Sequence, residues 1–220
     1  STTSIPATSH ITLQHSSTST VMKFSATTAA CTVTAAVLCS SATAAPYGQT
    51  FTGEGTYYGD IPIGSGNCAM RGDLSVYDGM IPLAINAAQY EGSMMCGACI
   101  EGRGTGRGAG GNPITGSFKG FVMDQCPECA HGDLDWGTSG DGRWEIEWQF
   151  VPCERGGKPD FTFEGSNPWY WKIQATGCRG PVDELFVNRK YARKTDDNFF
   201  LMEEGTPFYG EAKINVYIFG

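Results

Sequence analysis

The sequence predicts a mainly β protein that folds as two domains, and three observations lead to this prediction. Residues 144–151 alternate aromatic or aliphatic with polar side chains, which is the period of a half-buried strand. After residue 159, short strand-like segments recur at regular intervals without helical periodicity, as in a small β-sandwich. Between the two regions, residues 152–159 contain two prolines and two glycines, and this break indicates the domain boundary.

The first 45 residues are expected to lie outside the folded protein. Residues 22–45 have the parts of a secretory signal peptide: a charged Lys23, an apolar stretch at 29–38 and a small-residue cleavage site at 42–44. Residues 1–21 contain no Asp, Glu, Lys or Arg and precede the expected initiator methionine. They are interpreted as an upstream extension, with an unusual N-terminal tail as the alternative. A secreted, extracellular protein is therefore predicted.

Charge and composition exclude several classes of partner. Loss of Lys23 from the 15 basic residues leaves 14 against 23 acidic ones, a net charge of −9. Nucleic acids and anionic membrane surfaces are therefore not expected as partners. No apolar run of about 18 residues follows the leader, so no membrane-spanning helix is expected. His131 is the one histidine after the leader, which argues against a Ser–His–Asp or Cys–His hydrolase.

Local composition predicts the elements within each domain. Residues 50–66 mix aromatic and threonine-rich pieces with Gly, Pro and Asp, which indicates strand and loop, and residues 117–123 indicate a strand. Residues 80–90 predict one short helix. Residues 102–112 hold six glycines and two arginines in eleven positions, which predicts a mobile loop. In the second domain, strands are expected at 161–163, 171–174, 184–187, 199–201 and 213–218.

Three carboxylates, Asp124, Glu128 and Asp135, fall within twelve residues directly after the strand predicted at 117–123. Paired carboxylates are what hydrolysis of a glycosidic bond requires, one as acid and the other as base or nucleophile. In a chain with a net negative charge, a solvated surface position is the alternative for each of them.

Seven cysteines follow the leader, and a secreted protein is expected to use them in disulfides. Six of them lie between residues 68 and 153, while Cys178 stands apart and has no predicted partner. Two C-x-x-C pairs, at 96/99 and 126/129, are also compatible with zinc. The 26 residues between these pairs exceed the usual zinc-ribbon spacing, so neither a metal nor another cofactor is expected.

Taken together, the order and spacing of five segments resemble an expansin of the microbial type, from about residue 51 to residue 220. The segments are Gly55-Thr56-Tyr57-Tyr58-Gly59, Cys96-Gly97-Ala98-Cys99, Met123-Asp124-Gln125-Cys126-Pro127 with Gly132-Asp133-Leu134-Asp135, Trp148-Gln149-Phe150-Val151-Pro152-Cys153, and Asn167-Pro168-Trp169-Tyr170-Trp171-Lys172-Ile173-Gln174. The resemblance implies a six-stranded double-psi β-barrel, related to family-45 glycoside hydrolases, at 50–153. It further implies a linker at 154–158 and an immunoglobulin-like β-sandwich of the family-63 carbohydrate-binding type at 159–220.

The resemblance also implies roles for residues of a groove in the first domain. Asp135 would line the groove and be required for wall loosening, and in the related hydrolases this position is the general acid. Asp124 would be a second groove carboxylate, and Thr56 and Tyr58 would offer hydroxyls to a glucan. Glu128 is placed similarly, but its position inside a cysteine pair leaves its orientation open.

Asp60 keeps a hydrolase open as an alternative. Family-45 hydrolases carry their catalytic base in a Thr-x-Tyr-x-Asp segment, and this chain has that pattern from Thr56 to Asp60. Expansins commonly have glycine where Asp60 stands. Asp is also frequent in turns such as Gly-Asp-Ile-Pro, and the turn is the favoured interpretation.

For the second domain, the resemblance implies a platform of flat aromatic rings that stack on the pyranose faces of a glucan. Trp169 and Tyr170 match the first two platform positions. Trp171 either joins them or packs in the core, because neighbours in a strand face opposite ways.

Two departures from the family pattern fall in this domain. The third platform position aligns with Asp197, which cannot stack on a sugar, so Phe199 or Tyr191 replaces it or the platform is shortened. Family members continue for about another strand or hairpin after the position of Gly220. The sandwich is therefore expected to lack an edge strand, as in a truncated domain.

The resemblance implies the disulfides Cys68–Cys96 and Cys99–Cys153, which leaves Cys126 to pair with Cys129. The expected function is binding of cellulose and other cell-wall β-glucans by a monomer in the extracellular wall, with loosening of the wall without hydrolysis. A family-45-like endoglucanase, with Asp135 as general acid and Asp60 as base, is the first alternative. A barwin-like or elicitor-type wall-binding protein is the second.

Overall fold

The structure is a computed structural model that describes two β-sheet regions and a small part of the N-terminal segment. Within that segment it describes the backbone of three short strands. The rest of the expected extension at 1–21 and of the expected signal peptide at 22–45 lies outside the described residues. None of the helices in the described part of the chain is long and apolar enough to cross a membrane. The described residues are 47–62, 64–203 and 210–219, with β1 (Ser19–Phe24), β2 (Thr32–Thr34) and β3 (Ser40–Thr43).

Six strands form a closed barrel. They follow the order β4-β8-β5-β7-β6-β9 around the barrel, with β4 next to β9. The pairs β4/β8 and β5/β7 are parallel and the other pairs are antiparallel. The strands are β4 (Thr50–Tyr57), β5 (Ile81–Asn86), β6 (Cys99–Ala109), β7 (Thr115–Cys126), β8 (Leu134–Trp136) and β9 (Arg143–Val151).

The strand predicted at 144–151 is confirmed as β9. Its alternate side chains are buried in the barrel core, while those between them reach the outer surface or are half-buried. Two of the buried side chains, Trp148 and Phe150, pack edge to face with ring centroids 5.0 Å apart. The period-two pattern of residues 144–151 therefore arises, as predicted, from a strand that has one face in the core.

The helix predicted at 80–90 is wrong for most of its length. Residues 81–86 are β5, which pairs with β7 on one side and β8 on the other, and only α1 (Ala87–Tyr90) is helical. Leu83 and Ile85 are fully buried between these neighbours. A short apolar run is ambiguous between a buried strand and a helix, and here strand pairing on both sides decides it.

The mobile loop predicted at 102–112 is also wrong, because β6 continues through it to Ala109. A Cβ on Gly102 would lie 2.4 Å from the Phe118 ring, and one on Gly104 would lie 2.2 Å from the main-chain oxygen of Ile114. These glycines therefore permit close packing within the barrel, which is a known use of glycine inside strands.

The second region is a curled antiparallel sheet. Its six strands follow the order β10-β11-β14-β13-β12-β15, and β1 and β2 extend it beyond β15. The sequence predicts an unpaired edge at β15, but in the structure β15 pairs with β12 on one side and with β1 and β3 on the other. The strands are β10 (Asp160–Phe163), β11 (Tyr170–Thr176), β12 (Val182–Val187), β13 (Lys190–Lys194), β14 (Phe200–Glu203) and β15 (Gly210–Phe219).

The five strands expected in this region correspond to β10, β11, β12, β14 and β15. The short strands β8 and β13 were not expected from the sequence. The concave side of the sheet encloses a second hydrophobic core, separate from the core of the barrel, that includes Trp171, Ile173 and Leu185. The chain is therefore mainly β, with two hydrophobic cores.

Polar contacts join the barrel to this sheet, and Gln174 of β11 is at their centre. Its side chain is 0% exposed. Its amide nitrogen donates to the main-chain oxygens of Cys68 and Ala69, each at 3.2 Å, and its amide oxygen accepts from the main-chain nitrogen of Arg71 at 2.8 Å. The Asn198 amide adds a hydrogen bond to the Cys68 oxygen at 3.3 Å. We call residues 66–71 of the barrel the junction loop.

A lysine lies within the second region. The ammonium group of Lys194 donates a hydrogen bond to the main-chain oxygen of Val182 and lies 5.4 Å from the centre of the Phe200 ring, although part of the residue remains accessible. Burial of this group lowers the pKa of Lys194 to about 7, and the charge of Asp183 opposes that shift only weakly.

The substitution Lys194→Met is expected to remove a pH dependence of stability. Between about pH 7 and pH 10 the unfolded lysine binds a proton that the folded one does not, so the free energy of unfolding of the parent rises with pH across this window. Denaturant titrations at several pH values check this. The exposed Lys213→Met serves as the control and should keep the rise, and an equal rise in the Lys194 variant would show that the prediction is wrong.

Candidate functional site

Three strand ends bring the predicted groove residues of the barrel together. The parallel pairing of β4 with β8 sets Thr56 opposite Asp135, and the Thr56 hydroxyl donates to the Asp135 carboxylate at 2.7 Å. Asp124 lies near the end of β7, and the hydroxyl of Tyr58 hydrogen-bonds to its carboxylate. The four predicted residues therefore form one site, although they are up to 79 positions apart in the chain.

Asp135 is half-buried, and burial raises the pKa of its carboxyl group. The Thr56 hydrogen bond opposes this shift, the negative charge of Glu128 adds to it, and the positive charge of Arg143 opposes it. The net direction is upward. Asp135 therefore keeps its proton to a higher pH than a solvated aspartate does.

Asp124 is held as an acceptor by the main chain. One of its carboxylate oxygens accepts from the main-chain nitrogens of Asn67 at 2.7 Å and Gln125 at 2.8 Å. Because Asn67 belongs to the junction loop, the loop that receives Gln174 also fixes this groove carboxylate. Neither Gln174 nor the junction loop was singled out from the sequence, since a buried glutamine has no local pattern that marks its partner.

Tyr58 is 36% exposed and stands beside both groove carboxylates. Burial, followed by the charges of Asp124 and Asp135, raises the pKa of its phenol well above the ordinary value. The hydroxyl therefore keeps its proton over the whole physiological range and acts as a hydrogen-bond donor, while part of the ring faces solvent.

Asp60, the candidate base of the hydrolase alternative, is bound within a turn. Its two carboxylate oxygens accept from the main-chain nitrogen of Ser139 at 2.8 Å and from the Ser139 hydroxyl at 2.6 Å. These bonds lower the pKa of Asp60. A carboxylate with a lowered pKa and both oxygens engaged is a weak general base, so the geometry favours the turn interpretation.

The structure forms the three disulfides that the resemblance implies, Cys68–Cys96, Cys99–Cys153 and Cys126–Cys129. The first of these ties down the junction loop. The last borders the groove, because its two sulfurs and a carboxylate oxygen of Asp135 all lie within 4.8 Å of one another. Glu128 is exposed inside that short bridge.

The sequence offers no partner for Cys178 and leaves its role open. Cys178 is buried and disulfide-bonded, and its partner lies outside the described residues.

The predicted aromatic platform of the second region is only partly present. Trp169 is 51% exposed just before β11, and Tyr170 is partly exposed at its start. Trp171 and Phe199 are 1% and 0% exposed, so neither offers a ring face to a ligand, and their assignment to the platform is wrong. Trp171 is buried because successive side chains of β11 face opposite sides of the sheet, and its own side faces the core.

An ion pair occupies the place where a third ring was expected. The Lys172 ammonium lies 2.7 Å from the Asp197 carboxylate and 4.4 Å from the centre of the buried Phe199 ring. The alternative residue, Tyr191, is 54% exposed on β13, but its ring packs edge to face against Phe186 with centroids 5.6 Å apart.

A closed six-stranded barrel joined to a curled β-sheet defines a microbial expansin-like fold. Two crystal structures of the expansin of Clavibacter michiganensis have this fold. A mutant in complex with cellohexaose is 22% identical with a TM-score of 0.60, and the apo protein is 21% identical with a TM-score of 0.59. Each alignment covers 76% of this chain and 85% of the Clavibacter chain.

A Streptomyces papain inhibitor is 27% identical over 48% of this chain and 97% of its own, and its TM-score of 0.32 supports no argument. No protein-family model and no curated protein matches the chain.

The substitution Thr56→Val is expected to raise the pKa of Asp135 further. Valine keeps the shape of threonine but removes the hydroxyl whose hydrogen bond favours the charged carboxylate. Carboxyl-carbon NMR titration of both proteins checks the direction. Thr52→Val, at an exposed position of the same strand, is the control and should leave this pKa unchanged. A lowered or unchanged value in the Thr56 variant would contradict the assignment.

The substitution Gln174→Leu is expected to lower the free energy of unfolding by about 2–3 kcal/mol, because it leaves buried main-chain groups of the junction loop without their partner. Urea denaturation measures the change. Gln149→Leu, on the outer side of β9, is the matched control and should cost well under about 1 kcal/mol. Equal stability of the two variants would show that the junction does not depend on this amide.

Proposed function

We propose that this protein is a secreted, expansin-like protein that binds cellulose and related cell-wall β-glucans and loosens the wall without hydrolysis. In this proposal the barrel is a double-psi barrel at 50–153, and the second region is an immunoglobulin-like sandwich at 159–220 joined by a linker at 154–158. The protein acts as a monomer in the extracellular wall. The mutant Clavibacter expansin was crystallised in complex with cellohexaose, and this supports a β-glucan as the ligand class here.

The observation that carries the proposal is the difference between Asp135 and Asp60. A hydrolase needs an acid and a base, and Asp135 has the raised pKa that suits an acid. Asp60 has both oxygens bound to Ser139 and a lowered pKa, which suits a structural role. A site whose candidate acid has a raised pKa, but whose candidate base is bound to Ser139, favours binding over bond cleavage.

The groove residues are well suited to hold a glucan strand by hydrogen bonds. The hydroxyls of Tyr58 and Thr56 donate to the carboxylates of Asp124 and Asp135, and the oxygen lone pairs of all four groups can accept hydrogen bonds from sugar hydroxyls. Exchange of sugar–sugar for protein–sugar hydrogen bonds would let one strand slip past another. Binding can shift the equilibrium between paired and separated glucan strands only by the difference in its affinity for the two states. We therefore expect loosening of the wall to grow with the amount of protein bound.

The second region supplies the surface contact in this proposal, through the ring of Trp169 and the partly exposed ring of Tyr170. This platform is shorter than the family pattern implies, because Trp171 and Phe199 are buried. The contacts of Gln174 with the junction loop hold this region in a fixed position beside the groove. One polymer surface could therefore meet both sites together.

An endoglucanase with Asp135 as general acid is the second candidate, and the raised pKa of Asp135 favours it. Release of reducing ends from swollen cellulose and mixed-linkage glucan separates the two, with Asp135→Asn as the paired variant. We expect no release above buffer from either protein, together with extension of wall strips under load by the parent and its loss in the variant. Release that disappears in the variant would favour the endoglucanase.

The substitution Trp169→Ala is expected to weaken adsorption to insoluble cellulose by about five- to thirtyfold, since loss of one stacked ring costs about 1–2 kcal/mol. Depletion isotherms measure the change. Tyr191→Ala removes a ring of similar exposure on another strand and is the matched control, with little change expected. Weaker adsorption of the Tyr191 variant alone would move the binding surface to β13.

A further inference from the structure

The Cys126–Cys129 disulfide differs from the other two described disulfides in its exposure. Cys126 is buried, but Cys129 is partly exposed, and the bridge lies at the rim of the groove. The four cysteines of the other two bridges are all buried in the barrel core, and they are Cys68, Cys96, Cys99 and Cys153. A thiol reagent in solution therefore reaches the 126–129 bridge first, since exposed disulfides are the more easily exchanged ones.

The chain around this bridge is held by other contacts. Asp133 accepts from the main-chain nitrogens of Ala130 at 3.0 Å and Glu54 at 2.8 Å, and Gly132 donates to the Gln89 side chain at 2.9 Å. The bridge itself closes a loop of only three residues, which constrains the unfolded chain less than a long loop does. Its two cysteines therefore stay close to Asp135 when the bond between them is broken.

The three groups at this corner are a set of metal ligands once the sulfurs are free. A ligand atom from each of Cys126, Cys129 and Asp135 lies within 4.8 Å of the other two. Thiolates with a carboxylate suit zinc and softer divalent cations, with water as a fourth ligand. The other C-x-x-C pair cannot contribute, because Cys96 and Cys99 belong to two different buried disulfides.

We propose that reduction of the Cys126–Cys129 disulfide turns this rim of the groove into a site for a zinc-like divalent cation, with Cys126, Cys129 and Asp135 as its ligands. A dithiol reductant supplies two electrons and two protons, so that the disulfide becomes two thiols and the dithiol becomes a disulfide. The cation then displaces one proton from each thiol as the two metal–sulfur bonds form. Occupancy takes Asp135 away from any other ligand of the groove.

The test begins with native protein treated with dilute dithiothreitol, desalted without oxygen and alkylated, so that mass spectrometry identifies the opened bridge. We expect label on Cys126 and Cys129 before any on the four buried cysteines. Unalkylated reduced protein is then titrated with Co²⁺ and Cd²⁺, and one equivalent should give the absorption bands of thiolate-to-metal charge transfer. Oxidised protein should give none.

Variants assign the ligands. In the reduced state, Asp135→Asn should weaken Cd²⁺ binding by at least about tenfold, and Cys129→Ser should abolish the charge-transfer band. Glu184→Gln, on β12 of the second region, is the control and should leave the titration unchanged. Circular dichroism verifies that each variant is folded.

Three outcomes would overturn the proposal: no label at Cys126 and Cys129, label without Cd²⁺ binding, or Cd²⁺ binding that Asp135→Asn leaves intact. These measurements contain no glucan, so they stand or fall separately from the function proposed above. When cellulose is then added, depletion by reduced protein with and without Zn²⁺ reports whether the cation competes for the groove.

Discussion

The hydrogen bonds of one buried amide to the main chain of the junction loop are the constraint on which the rest of the structure depends. Gln174 reaches from the second region to Cys68, Ala69 and Arg71, while Asn67 of the same loop holds the Asp124 carboxylate. An amide that satisfies several buried main-chain groups is costly to replace, because each group left without a partner adds a desolvation penalty. The groove and the junction between the two regions therefore share one loop.

The acidic side chains in and around the groove differ in the groups that donate hydrogen bonds to them. Main-chain nitrogens donate to the carboxylates of Asp124 and Asp133. Ser139 donates to Asp60, and its hydrogen bonds lower the pKa of Asp60. Asp135 has the Thr56 hydroxyl as its partner and is half-buried next to the charge of Glu128. Burial is the main cause of the raised pKa of Asp135, and the Thr56 hydroxyl opposes it only in part.

Local patterns predicted the parts of this structure that depend on local chemistry. The alternation at 144–151 and the carboxylates after 117–123 led to β9 and to the groove, and the family resemblance supplied the grouping of Thr56 with Asp135. The failures depend on distant partners. Strands on both sides decide that 81–86 is β5, the Phe118 ring explains Gly102, and the core of the second region accounts for Trp171. No single-sequence pattern marks Gln174, because its partners in the junction loop lie more than 100 residues away.

The junction also bears on how such a protein can be rearranged in evolution. The side chains of Gln174 and Asn198 bind main-chain atoms of the junction loop. These contacts therefore depend on the position of the loop backbone and make no use of its side chains. That path is fixed by the Cys68–Cys96 bond inside the barrel. A barrel whose chain took another course at residues 66–71 would leave the buried amides of Gln174 and Asn198 without these partners. Exchange of either region for another would therefore have to preserve the backbone course of this loop.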